Sequence, residues 1–108
     1  MIYTLDEIAR RVRPIAEKYK LKAVYVFGSY ARGEAAENSD IDFLVDINGT
    51  EIKTLLQLAA VYCALEEAFE KKIDMVTVDA LEQNLHRPSQ RHFRETVWNE
   101  KVNLYVAA

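Results

Sequence analysis

Apolar residues at Leu5, Ile8, Val12, Ile15 and Tyr19 recur every three or four positions, the period of a helix that buries one face. The spacing predicts a helix from Leu5 to Tyr19. Thr4 with Glu7 three residues on forms a capping box at its start. Pro14 falls inside the pattern and predicts a kink, since proline removes a helix hydrogen bond. Ala23-Val24-Tyr25-Val26-Phe27 is a short apolar run ending at Gly28, which predicts a strand buried on both faces. A polar connection with a short helical stretch follows, Gly28 to Ser39. A second strand is predicted over Asp40–Ile47, closed by Asn48-Gly49. A long helix is predicted from Thr50 to Phe69, with Asn48 and Glu51 at its start. A third strand covers Ile73–Val78. Asp79–Glu82 is expected to start a capped helix, Arg87-Pro88 breaks the pattern, and a last helix occupies Ser89–Asn99. Val102–Val106 suits an edge strand or an ordered tail.

The order α-β-β-α-β-α predicts an α/β or α+β fold, a small mixed sheet flanked by helices. The second and third strands, separated by a long helix, suit parallel neighbours. Only three glycines and two prolines occur in 108 residues. With no linker or repeat, a single domain spanning 1–108 is expected. Half the residues are apolar and 29% are charged, which excludes a disordered chain. One cysteine, Cys63, excludes an internal disulfide and suits a reducing cytosol, so a cytoplasmic location is expected. Asp6 and Glu7 in the opening stretch are unlike a secretory leader. No run approaches the ~20 apolar residues of a membrane span, so no membrane partner is expected. The net charge of −3 disfavours direct nucleic-acid binding, which usually rests on a basic excess.

The chemistry concentrates in Gly28 to Asp42. Asp40 and Asp42 are two apart on a strand, so they share a face. Two adjacent carboxylates call for a compensating cation, and their hard oxygens suit Mg²⁺. Asp74 lies in the apolar strand Ile73-Asp74-Met75-Val76, where a charge is costly unless paired or metal-bound. With the third strand beside the second, the three acids could hold two metals roughly 3.5–4 Å apart. Gly28 lets backbone approach a phosphate closely. Ser29 adds a hydroxyl, the short helix after it presents backbone amides, and Arg32 offers a bidentate fork. Taken singly, each part has a plainer explanation: a solvated acid pair, a turn, a surface ion pair. It is the set that carries the reading.

Gly28-Ser29, ten residues, then Asp40-x-Asp42 resembles the signature of the DNA polymerase β-type nucleotidyltransferase superfamily. The fuller run Gly-Ser-Tyr-Ala-Arg-Gly-Glu, with Ser39-Asp40-Ile41-Asp42, resembles its minimal members, the MNT-type antitoxins paired with HEPN ribonuclease toxins. The likeness covers essentially the whole chain. It implies Mg²⁺-dependent transfer of AMP from ATP to a tyrosine hydroxyl of a partner HEPN toxin, and neutralisation of that toxin. Asp40 and Asp42 match the family's metal-binding pair. Asp74 matches the third acid by position more than by a distinctive motif. Gly28, Ser29 and Arg32 are the expected nucleotide-binding set. Two alternatives stand beside this: an antitoxin that neutralises by binding alone, and a small-molecule nucleotidyltransferase, for which 108 residues leave little room for an acceptor pocket.

Other features are weighed against simpler roles. Leu55, Leu58, Tyr62, Leu65 and Phe69 form one apolar stripe, and Ile52, Leu56, Ala59 and Cys63 a second beside it. This suits a deeply packed helix or one whose second side meets another chain, giving homo- or hetero-oligomers through residues 51–69. Cys63 is expected to be a buried small hydrophobe. Arg87, Arg91 and Arg94 suit a solvated face, a docking face for an acidic partner, or contact with the triphosphate. His86 and His92 lack metal-ligand spacing and are given no role. Asp46 is kept out of the site, and Trp98 is expected in the core or against the tail.

Overall fold

A computed structural model describes residues 2–83 and 85–108; Met1 and Asn84 lie outside the described residues. The helices are α1 (Leu5–Lys18), α2 (Ser29–Arg32), α3 (Leu55–Phe69), α4 (Val78–Glu82) and α5 (Pro88–Glu100). The strands are β1 (Ala23–Phe27), β2 (Ile41–Asp46), β3 (Ile73–Thr77) and β4 (Val102–Val106). They form one mixed sheet in the order β3-β2-β1-β4. β2 and β3 are parallel, as expected from the helix between them, while β1 is antiparallel to both β2 and β4. The C-terminal run is therefore an edge strand.

Strand alternation gives the sheet two unlike faces. Val24, Val26, Ile41, Phe43, Val45 and Ile73 point to one side, where α1 and α3 close the larger core. α1 contributes Ile8, Val12 and Ala16, and α3 contributes Val61, Leu65 and Phe69, all buried at four-residue steps. Phe27 and Leu44 point to the other side and meet Leu81 of α4 and Val97 of α5 in a smaller cluster. Asp42 and Asp74 belong to this second face by the same alternation.

Thr4 and Glu7 form the expected capping box at α1. The helix runs unbroken through Pro14, an exposed position. Three expectations are corrected. α3 begins at Leu55, not Thr50, because Thr54 and Gln57 form a capping box that outcompetes Asn48 and Glu51. α4 is capped by the Thr77 hydroxyl, which accepts from the Ala80 N–H, so it starts before Asp79. Cys63 is exposed, not buried. The buried stripe of α3 runs through Val61, Leu65 and Phe69, which turns Cys63 and Ala59 outward.

Candidate functional site

The candidate site lies where β1 ends and β2 and β3 begin. Antiparallel pairing sets Phe27 opposite Asp42, and parallel pairing sets Asp42 opposite Asp74. The end of β1 and the starts of both acidic strands thus meet at one edge of the second face. A cleft of about 680 Å³ opens there. Gly28, Ser29, Arg32, Asp40, Asp42 and Asp74 all line it, so the structure brings the six residues of the expected metal and nucleotide set to one cleft.

Gly28 turns the chain at φ +74°, a left-handed conformation that favours glycine. A Cβ added there would run into the Asp42 carboxylate. The close approach of backbone to carboxylate therefore requires glycine on two counts.

Asp42 is pushed up from the usual 3.8 to about 6. Burial is the main cause. The hydrogen bond with Asp74 and the negative charges of Asp74 and Asp40 add to it, and Arg32 opposes it. Asp42 therefore keeps its proton up to about pH 6, and above that a cation beside the carboxylates would offset the crowded charge. Hard oxygen donors crowded together suit a divalent ion such as Mg²⁺. Asp40 flanks the pair, and the Lys72 ammonium stands 4.0 Å from it. Among the described residues, no three acids, histidines or cysteines are drawn together as a finished metal cage.

One expectation changes at this site. Within an apolar strand, Asp74 is expected to be a costly charge. β3 is an edge strand and Asp74 is exposed to the cleft, so that penalty is small. The Arg32 fork expected to reach a phosphate is engaged within the protein: its Nε donates to Glu34 at 2.7 Å, and its Nη1 to the Glu100 oxygens at 3.1 and 3.3 Å. Glu100 also accepts the Gly28 N–H at 2.9 Å. Sequence reading misses Glu100: it is 72 residues from Gly28, and no local pattern links them.

The arginines of α5 belong elsewhere. Arg91 donates to the Leu85 and His86 carbonyls, and Arg94 pairs with Glu82 at 2.7 Å. None of Arg87, Arg91 and Arg94 lines the cleft. Asp46 accepts the Asn48 N–H in the turn after β2.

The mixed sheet thus sets an Asp-x-Asp pair and a third acid beside a Gly-Ser turn, an arrangement whose chemistry suits a cation and a phosphate. Residues 10–105 match the family described as polymerase beta, nucleotidyltransferase, and the chain belongs to it. It is a nucleotidyltransferase. A Methanocaldococcus jannaschii relative, provisionally named a protein adenylyltransferase, is 36% identical over 100 residues, covering 93% of this chain and 97% of that protein. The protein adenylyltransferase MntA of Thermococcus cleftensis is 35% identical over 86 residues, 76% of this chain and 85% of the relative. A solved structure described as a provisional minimal nucleotidyltransferase superposes with a TM-score of 0.67 at 35% identity, covering 93% of this chain and 95% of the other. An MNT antitoxin in complex with a tri-AMPylated Shewanella oneidensis HEPN toxin shares the fold, with a TM-score of 0.65 at 17% identity, covering 96% and 74%.

Proposed function

We propose that this chain transfers AMP from ATP to a tyrosine hydroxyl of a HEPN-type toxin and thereby acts as its antitoxin. The observation that carries this reading is the Asp42–Asp74 pair, set side by side by the strand register, next to Gly28 in a common cleft. The names of the relatives support a protein as acceptor. The tri-AMPylated HEPN toxin found with a protein of this fold supports the partner class.

In this reading Asp40, Asp42 and Asp74 hold Mg²⁺, two ions being the number that three carboxylates suit. Held by these carboxylates, Mg²⁺ would supply neutralisation of phosphate charge and activation of the attacking oxygen. Gly28, Ser29 and Arg32 hold the triphosphate. The acceptor oxygen bonds to the α-phosphorus, the bond to the bridging oxygen breaks, and pyrophosphate leaves with that electron pair. The proton lost by the hydroxyl passes to water in the open cleft. The cleft is lined by the carboxyl groups of Asp40, Asp42, Asp74 and Glu100 against Arg32. Free ATP would be repelled, so ATP is expected to enter as its metal complex.

ATP labelled at the α- or γ-phosphate, incubated with Mg²⁺, this protein and a HEPN-type toxin, tests the reading. Transfer from the α-position only, reduced at least about 100-fold in Asp42→Asn, is the expected result. Label from the γ-position, or a fully active variant, refutes it. Leu55 and Leu56, each 83% exposed on α3, favour neutralisation by binding as a component of the activity. On that account Asp42→Asn still forms the complex.

A further inference from the structure

Glu100 ends α5, 60 and 58 residues beyond Asp40 and Asp42 in the chain, yet it lines the same cleft. Its side chain is only 18% exposed. Its carboxylate accepts the Gly28 N–H at 2.9 Å and two contacts from Arg32 Nη1, at 3.1 and 3.3 Å. Those are the donors that the proposed function assigns to the triphosphate, so a role for Glu100 at the nucleotide rests on that function. A backbone N–H carries one hydrogen and serves one strong acceptor at a time. A carboxylate and a phosphate oxygen therefore compete for it. Like charge sharpens the competition, because Asp40, Asp42 and Asp74 already line the cleft.

We propose that Glu100 is a residue of the nucleotide site that sets its phosphate affinity. It stands in for phosphate on Gly28 and Arg32, and it yields them when a triphosphate binds. Glu34 holds Arg32 Nε at 2.7 Å from outside the cleft lining, so the guanidinium keeps an anchor after Glu100 withdraws. The competing charge makes the empty site self-satisfied and lowers its affinity for phosphate.

Calorimetric titration with Mg²⁺ present tests this on the intact chain. The ligands are a non-hydrolysable ATP analogue, inorganic triphosphate and adenosine. The proteins are wild type, Glu100→Gln and Glu100→Asp. Glutamine keeps the size and removes the charge. It is expected to tighten the ATP analogue and triphosphate roughly three- to tenfold, the scale of one net hydrogen bond recovered by the ligand. Adenosine, which has no phosphate, is expected to be unchanged. Aspartate keeps the charge but falls short of Gly28, and is expected to give a smaller gain; it carries the test if the glutamine variant fails to fold. Unchanged or weaker binding of the analogue by a folded variant overturns the proposal, as does an equal gain for adenosine. If neither the wild type nor the variants bind the analogue or triphosphate, the nucleotide site itself fails and the role of Glu100 with it. If the wild type binds and the variants gain nothing, the role of Glu100 alone fails.

Discussion

The two faces of the sheet are made from the same strands and solve opposite problems. On one, Val24, Val26, Ile41, Phe43, Val45 and Ile73 are all completely buried beneath α1 and α3. Burial of that kind is the main favourable term in folding, roughly 1.5–3 kcal/mol for each large apolar side chain. On the other, the cover is partial. Phe27 and Leu44 have an apolar roof from Leu81 and Val97, but the same strands then present Asp42 and Asp74 to an open cleft. Alternation along a strand makes this possible: Phe43 and Asp42 are neighbours in sequence and lie on opposite sides. One face stabilises the molecule, and the other gives up part of that stability to keep carboxylates crowded.

The largest test of this contrast is Phe69→Ala. Phe69 is 1% exposed, meets Tyr3 edge-on at 5.2 Å and lies 5.6 Å from Phe43. The Tyr3 hydroxyl donates to its backbone carbonyl at 2.7 Å. Truncation is expected to cost about 3–5 kcal/mol and to lower Tm by on the order of 15 °C. A loss under about 1 kcal/mol by urea titration would show that the first face does not dominate stability.

Asp42→Asn should act with the opposite sign on the other face. The folded state holds the Asp42 proton more tightly than the unfolded chain, about 6 against 3.8. Its contribution is therefore fully present below pH 3.8 and is lost as pH rises through about 6. Above that pH the ionised carboxylate costs stability. The full shift would correspond to about 3 kcal/mol; contact with water reduces the expected cost to about 1–2 kcal/mol. In chelator, at a pH of about 7.5, the asparagine variant is expected to be the more stable protein. The advantage should shrink as pH falls towards about 4. A variant less stable than wild type at the higher pH would remove the contrast between the faces.

Those two faces are not equally legible in the sequence. α1 and β1 are readable because their apolar periods are clean and Thr4, Glu7 and Gly28 punctuate them. The parallel pairing of β2 with β3 follows from the length of the helix between them, and it puts Asp74 opposite Asp42. α3 is harder. It is apolar nearly all round, so periodicity alone does not choose among stripes, and the stripes through Leu58 and Cys63 miss Val61 and bury Cys63 wrongly. Its start is present in Thr54-Leu55-Leu56-Gln57, a capping box that the earlier Asn48 and Glu51 obscure. Glu100 is illegible for a different reason: its importance lies in a long-range contact with Gly28, and only the packed chain creates it.

The smallest effect expected concerns how the partial roof is fastened. The indole N–H of Trp98 donates to Glu82 Oε1 at 2.8 Å, and Arg94 Nε donates to Oε2 at 2.7 Å. Both donors hold the Glu82 carboxyl below its usual range, Arg94 most. One carboxylate thus ties α4 to α5, beside the cluster of Leu81, Val97, Phe27 and Leu44. The ion pair is open to water, 36% exposed on both sides, and such pairs contribute about 0–1 kcal/mol. Glu82→Gln keeps an acceptor for Trp98 and loses the charge facing Arg94. It is expected to cost about 0.5 kcal/mol, to leave the first face's amides fully protected, and to speed hydrogen exchange in α4 and α5 only. Tryptophan fluorescence reports the change directly, since Trp98 is the one tryptophan. Faster exchange in α1 and α3 as well would mean that the roof and the larger core open together, and the two faces would then be one cooperative unit.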